Sequence, residues 1–301
     1  MRATPLTESA IRATPTRQQR FVARDNLSPV AALVRRHDRD RYQTALFAPA
    51  ERREALFALY AFNYEIARVR EAASEPILGQ MRLQWWRENV EAAFAEKTPR
   101  RHDVVEALSA VIRQYWPTRA CFDRLIDARE HDFDPEPPAA MTALEEYAEE
   151  TSSTLISLAL EVLGATEPVA AARPVGIAYA LSGLLRAMPF HARAGRCYIP
   201  VEVTEAAGLD LRDYAALRAP PALRAAVKTM AERAARHLGA AGAEARDAPR
   251  AALPALLPAV IAGHTLARLR RNGFDPFDAR LAAPDPLQAW RLAAAMLRRR
   301  L

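Results

Sequence analysis

Glycine is scarce in this chain, at 10 residues in 301, and cysteine is nearly absent, at 2. So few glycines leave little backbone of the kind that enters positive φ freely, and the dominance of Ala, Leu, Arg and Glu favours helix over strand almost everywhere. Cys121 and Cys197 are too few and too isolated for a disulfide framework or a thiolate metal site. That suits a reducing compartment, with both expected to be buried, inert thiols. Long apolar runs are missing as well. The longest uncharged stretch, Ala251 to Ala267, is interrupted by Pro254, Pro258 and His264. It falls short of the roughly 20 apolar residues of a spanning helix and reads as a buried one. The histidines, His37, His102, His131, His191, His237 and His264, never recur at the spacing that puts two metal ligands on one helix face.

What is present points to an all-α protein. The formal net charge of +6 allows an acidic partner or an anionic membrane surface. Nothing of the basic and aromatic pattern of a nucleic-acid site accompanies it, so nucleic acid is not an expected partner. Residues 1–27 carry Arg2, Arg12, Arg17, Arg20 and Arg24 against only Glu8 and Asp25. They look superficially like a mitochondrial transit peptide and read equally well as a disordered basic tail. Nothing inside residues 28–301 resembles a linker, so one all-α domain is expected there.

Helix starts are marked by Ser28-Pro29, by Thr142 with Glu145 three residues on, and by Asp285-Pro286. The pattern predicts helices near 28–38, 49–72, 76–97, 103–115, 118–131, 142–163, 167–187, 200–207, 221–244, 250–272 and 286–300, with Gly273 as a C′ residue. Residues 132–140 and 187–200 read as loops, because prolines punctuate both and Gly195 the second. Along 49–72, Leu56, Tyr60, Asn63, Ala67 and Glu71 share one largely apolar face. The next helix carries Met81, Leu83, Trp85, Trp86 and Phe94, and its tryptophans are expected in the core.

Leu59-Tyr60-Ala61-Phe62, then Met81-Arg82-Leu83-Gln84-Trp85-Trp86-Arg87, and later Gly195-Arg196-Cys197-Tyr198-Ile199-Pro200 resemble segments of the squalene/phytoene synthase superfamily. The resemblance implies an isoprenoid-synthase-like helical bundle around an apolar central cavity. It also implies two Asp-x-x-x-Asp motifs that hold magnesium against a prenyl diphosphate. Aspartates four apart lie on one helix face, so both carboxylates reach one metal-bridged diphosphate. Here the first motif reads Ala67-Arg68-Val69-Arg70-Glu71, and the second places Ala187 and His191 where aspartates belong, with Pro189 between them. Ala180 and Gly183 stand where the synthases carry Gln and Asn. A lone Glu71 flanked by arginines is a poor magnesium site, so no metal, no other cofactor and no catalytic residue is expected.

These replacements, with Tyr60-Ala61-Phe62-Asn63-Tyr64-Glu65-Ile66-Ala67, Tyr147-Ala148-Glu149-Glu150-Thr151 and Leu185-Arg186-Ala187-Met188-Pro189-Phe190-His191, resemble the branch of mitochondrial complex I assembly factor 6 and its bacterial relatives. That branch implies a non-catalytic assembly or stabilising factor for NADH:ubiquinone oxidoreductase. Its client would be a respiratory-complex subunit, and its place cytoplasmic or matrix-side, peripheral to the inner membrane. The alternative is a residual prenyl-diphosphate-binding transferase, with magnesium at Glu71. The resemblance puts Arg82, Arg186 and Arg196 near the pocket mouth, where they could meet an anionic group or simply form ion pairs to Glu71 or Glu88. Tyr60 and Asn63 join them as candidate ligand-binding residues. His191 could be a new ligand or base, or could pack beside Pro189. Glu145, Glu146, Glu149 and Glu150 read as solvated first-turn acids, although Glu149 could face the cavity. The terminal helix pairs Leu287, Trp290, Leu292, Met296 and Leu297 with Arg291, Arg298, Arg299 and Arg300. It suits either docking on the domain or contact with a membrane surface.

Overall fold

The structure, a computed structural model, describes residues 27–300, and the expected basic tail therefore lies outside the described residues apart from Leu27. Its helices are α1 (Pro29–His37), α2 (Arg39–Ala45), α3 (Ala50–Ala67), α4 (Val69–Ala72), α5 (Pro76–Phe94), α6 (Asp103–Tyr115) and α7 (Arg119–Asp127). A 3-10 turn (Ala128–Phe133) leads to α8 (Met141–Ala148), a π-helical turn (Glu149–Ser153) and α9 (Thr154–Val162). The second half holds α10 (Ala172–Arg193), α11 (Val201–Ala207), α12 (Leu211–Ala215), α13 (Pro221–Glu244), α14 (Leu253–Leu256), α15 (Pro258–Arg271), α16 (Ala279–Ala282) and α17 (Gln288–Arg298). No strand occurs among the described residues.

The start signals work as capping chemistry in some places and not in others. Ser28 Oγ accepts from Ala31 N at 3.1 Å with Pro29 in the first turn, and Asp38 Oδ1 accepts from Arg41 N at 3.1 Å to start α2. Gly273 adopts φ +68 just past α15, and Phe274 N donates to Leu269 O at 2.8 Å, as a helix C-terminus needs. The Thr142/Glu145 capping box does not form. Glu202 of α11 accepts from Met141 N at 2.7 Å instead, and Glu145 is drawn to His237 and Arg233. A tertiary partner outcompetes the local one.

Three predicted boundaries fail for identifiable reasons. The helix expected over 49–72 breaks at Arg68, whose guanidinium folds back over the Tyr64 ring and toward Glu65. The helix expected over 167–187 begins later and runs on through Pro189 to Arg193. A proline removes one helical hydrogen bond, but here Met188 and Ala192 are buried and Arg196 N donates to His191 O at 2.8 Å, which holds the last turn. The helix expected over 142–163 contains the π turn, where Thr151 Oγ1 bonds to Tyr147 O and Thr154 Oγ1 to Glu149 O. Such hydroxyl-to-backbone bonds compete with the regular ladder.

α10 packs along α13 and α15 and against the π turn, while α3 lies on α1 and α6, and α5 on α6 and α7. One apolar cluster gathers Leu56, Phe62, Leu83, Trp86 and Phe122, and a second gathers Leu185, Met188, Leu223, Met230 and Leu269. Trp86 is buried edge-on to Phe62, with ring centroids 5.4 Å apart. Trp85 is only half-buried, against His102 and Arg100, and Met81 is exposed, so the expected aromatic core of α5 is Trp86 more than its neighbour. The uncharged stretch 251–267 is buried as expected but kinked between α14 and α15. No single described helix is long and apolar enough to cross a membrane; only that bent pair passes by length and composition.

Gly176 is where α10 meets the π turn. A Cβ there would sit 2.3 Å from Ser153 Oγ and 2.4 Å from its Cα. Gly176→Ala is therefore expected to lower unfolding free energy by about 1–3 kcal/mol or more, as overpacking against backbone does. Gly183→Ala on the same helix, where a Cβ meets nothing within 4 Å, should be neutral or stabilising by up to about 1 kcal/mol. Urea unfolding of the two variants measures the contrast, and equal effects would show that the contact does not matter.

Candidate functional site

α3, α8, α10 and the 3-10 turn converge on a buried polar network. Its hub is Asp132, whose Oδ1 accepts from Tyr147 Oη at 2.7 Å and from Tyr198 Oη at 3.2 Å. Its Oδ2 lies 3.6 Å from Arg129 Nη1. Arg129 is buried too, donating to Tyr147 Oη at 3.0 Å and to Asn63 Oδ1 at 3.4 Å, while its Nε has no partner. His191 stacks edge-on against Tyr198, with centroids 4.8 Å apart, and its Nδ1 is buried without a hydrogen bond. At this level the bundle interior holds polar side chains bonded to one another.

A second network adjoins the first. The Arg41 side chain is largely buried, bonded to Asp38 at 2.8 Å and lying over the rings of Tyr60 and Tyr179. Burial opposes its charge, but Asp38 and the two tyrosines outweigh it and raise its pKa. Burial pushes the Tyr60 hydroxyl up to about 12, so it stays protonated. Asp40 holds Arg186 at 2.8 Å and Gln288 of α17 at 2.8 Å. Burial works against the Asp40 charge, yet Arg186, Gln288 and Arg41 leave its pKa lowered.

The residues singled out from sequence thus have different fates. Asn63 reaches the first network and Tyr60 the second. Arg186 forms an ion pair, with Asp40 rather than Glu71 or Glu88. Arg82 donates to Ala72 O at 3.0 Å from an exposed position, reaching neither glutamate. Arg196 makes no side-chain hydrogen bond or ion pair among the described residues, though its charge bears on His191. Ala67 ends α3 and Glu71 lies exposed on α4, so the break at Arg68 takes the two positions off one continuous face. Ala187 and His191 stay on α10. Glu145 and Glu149, both partly exposed, form ion pairs: the first is held by His237 at 2.6 Å and Arg233 at 2.9 Å, the second by Arg173 at 2.7 Å. Both thiols are half-buried and shifted upward by burial, Cys121 to about 11, which keeps them unreactive.

Sequence reasoning missed Arg129 and Asp132. Asp132 opens the proline-punctuated segment 132–140, which reads as a loop, and neither residue belongs to a segment that carries the resemblance. Tyr147 and Tyr198 did lie in such segments, and a hydroxyl in each was the available signal. The magnesium implied by the resemblance does not fit these residues. It needs several hard oxygen ligands, whereas Ala67 and Ala187 offer none, His191 is a nitrogen ligand, and Asp132 is already engaged by two hydroxyls and an arginine. No group of three or more His, Cys, Asp or Glu among the described residues is placed to hold a metal.

A helical bundle with degenerate metal positions on α3–α4 and α10 defines the class. The chain belongs to the squalene/phytoene synthase family, whose sequence model matches residues 34–297, and to the assembly-factor branch within it. It is 32% identical over 268 residues to complex I assembly factor 6 of Homo sapiens, spanning 86% of this chain and 80% of that one. The Rattus norvegicus protein of the same name is 34% identical over the same shares. A presqualene diphosphate synthase of Rhodopseudomonas palustris is 27% identical, over 69% of this chain and 75% of its own. Among solved structures, a dehydrosqualene synthase superposes with a TM-score of 0.77 at 19% identity, covering 93% of this chain and 96% of the other. A squalene synthase of Alicyclobacillus acidocaldarius gives 0.72 at 23% identity, covering 82% and 94%. At those identities the structures speak for the fold alone.

Burial, and then the charge of Arg196, lower the His191 pKa from 6.5 to about 4, against the pull of Asp132. Between those values the unfolded chain binds more protons than the folded one. The stability conferred by neutral His191 is therefore complete above 6.5 and drains away as pH falls toward 4. His191→Gln should flatten the pH dependence of the urea midpoint in that window by an amount worth roughly 2–3 kcal/mol. Parallel curves for the two proteins would contradict a buried neutral imidazole.

Proposed function

We propose that this chain is a non-catalytic member of its family that assembles or stabilises respiratory NADH:ubiquinone oxidoreductase by holding a protein subunit of that complex. One observation carries the reading: the leading metal positions are alanines, and the carboxylate of Asp132, joined to α3 through Arg129 and Asn63, is already bonded to that arginine and two tyrosines. Residues so engaged present no set of oxygen ligands for a diphosphate-bound metal. The relatives named as complex I assembly factors, at 32–34% identity over most of the chain, support the same reading.

Deleting the gene in the source organism is expected to lower assembled NADH:ubiquinone oxidoreductase, and both the native chain and Glu71→Ala should restore it. A normal level after deletion would sink the proposal. So would magnesium-dependent consumption of farnesyl diphosphate by the purified protein, which would instead favour a residual prenyl transferase.

We also infer a place on the cytoplasmic or matrix face of the inner membrane, with α17 as the contact. This helix docks through Leu292, which is fully buried against Tyr179 and Ile261. Its opposite face presents Leu287, Trp290 and Leu297, 52%, 75% and 83% exposed, at positions that align on one side. Arg298, Arg299 and Arg300 follow, the combination expected of a helix lying on an anionic surface. Trp290→Ser with Leu297→Ser should reduce cosedimentation with phosphatidylglycerol-containing vesicles severalfold while leaving the fold intact. Unchanged binding would remove α17 from the contact.

A further inference from the structure

The sequence gives α5 two apolar sides, and the bundle covers one of them. Gly79, Leu83, Trp86 and Val90 are buried against the core. Ile77, Met81 and Trp85 recur every four residues on the opposite side, with Leu78 beside them. Ile77 is 56% exposed, Leu78 43% and Met81 63%, and Trp85 is half-buried. Together they leave an apolar patch on the order of a few hundred Å², a size that on soluble proteins often marks an interaction site. A helix that is apolar on both sides is one that is covered on both, and the described residues cover only the first.

Along one flank of this stripe a recess of about 240 Å³ opens between α4, α5 and the start of α6, walled by Arg68, Val69, Arg82, Trp85, Trp86 and His102. Glu65 also lines it and stands two residues from Ala67 on α3, roughly 200° around the helix. The recess is therefore turned away from the side of α3 that carries Ala67. Its wall is aromatic, with His102 edge-on to the Trp85 and Trp86 rings at centroid distances of 5.6 and 5.7 Å. His102 Nδ1 is buried there without a hydrogen bond.

Unmatched charge brackets the stripe. Arg82 donates only to the backbone oxygen of Ala72, at 3.0 Å, and neither Arg82 nor Arg101 has a carboxylate partner among the described residues. Arg100, next to Arg101, lies over the Trp85 ring and pairs with Glu88 at 2.9 Å. At the other end Glu75, just before α5, has no cation partner among the described residues. Glu75 and Arg82 stand about 10 Å, or two turns, apart along a helix. A lipid surface suits this face poorly, because exposed Glu75 and Glu88 flank the apolar side chains and a bilayer does not fill a recess. An amphipathic helix laid in a groove meets both features.

We propose that this face of α5 holds the client subunit by one of the client's amphipathic helices. Apolar side chains of that helix lie over Ile77, Leu78 and Met81, and one of them enters the recess beside Trp85. An acidic residue of the client meets Arg82 and Arg101, and a basic residue about two turns away meets Glu75. The proposal rests on the assembly reading and adds to it the surface and the chemistry of the partner.

The experiment uses the full chain in cells deleted for the gene. Gln84→p-benzoylphenylalanine places a photoreactive group one turn from Met81 without altering the stripe. Adducts formed on irradiation are identified by mass spectrometry, and assembled NADH:ubiquinone oxidoreductase is measured alongside. Both readouts are repeated with Ile77→Ser plus Met81→Ser, and with Val201→Ser plus Leu211→Ser, which remove exposed apolar side chains from α11 and α12 instead. The expected result is an adduct on a subunit of the complex, in a segment with the apolar and charged spacing above. Its yield should fall roughly tenfold with the first pair and hold with the second, as for truncated anchors of an interface, with a matching loss of assembly. If the native chain restores assembly and the first pair restores it equally, the surface is overturned while the assembly role stands. If deletion causes no loss, or the native chain restores nothing, both fall. No adduct, or adducts only with lipid or with a second copy of this chain, also overturn the proposal. Should the first pair fail to fold by circular dichroism, Arg82→Glu with Arg101→Glu replaces it, since both side chains are exposed and the same loss is expected.

Discussion

A carboxylate taken out of water must be matched, and Asp132 is the group whose matching organises this bundle. Its oxygens draw Tyr147 from α8, Tyr198 from the segment after α10 and Arg129 from its own turn to one point. Removing either charge of such a pair would strand the other at a cost of about 3–5 kcal/mol. That penalty is why the turn, α8 and the later segment hold a single arrangement. Arg129 then reaches Asn63 and ties the same point to α3. The protein has built from side chains a charge-compensated centre that joins α3, α8 and the segment after α10.

α10 carries this arrangement because its faces do different work. One packs on the π turn so closely that only Gly176 fits, another presents His191 to Tyr198, and a third sends Arg186 to Asp40. The π turn, where Thr151 and Thr154 give their hydroxyls to local carbonyls, shifts the phase of the chain between α8 and α9. Rigid contacts of this kind suit a scaffold, which must offer a partner one surface.

The α17 helix divides its apolar residues between two faces. It docks through buried Leu292, with Ala295 and Met296 packed beside it and Gln288 bonded to Asp40, leaving Leu287, Trp290 and Leu297 outward. Docking and surface contact were alternatives in the sequence because the apolar residues there exceed what one face can bury. In three dimensions they are compatible, since the two sets project from opposite sides of the same short rod.

The sequence by itself determined the helical class, the family and the loss of the metal motifs. Each of these is written in local composition, in spacing along one helix and in residue identity. It also marked Tyr147, Tyr198 and Asn63 as lying in telling segments. It could not reveal Arg129 and Asp132, nor that Glu145 would abandon its capping box for His237, nor that Arg186 would choose Asp40. Apart from the Arg129–Asp132 pair itself, these contacts join residues far apart in the chain, and their energies arise from desolvation, which exists only once the helices have packed. The tertiary structure alone decided them, because a buried charge takes the partner that packing brings within reach and not the one that lies nearest in sequence.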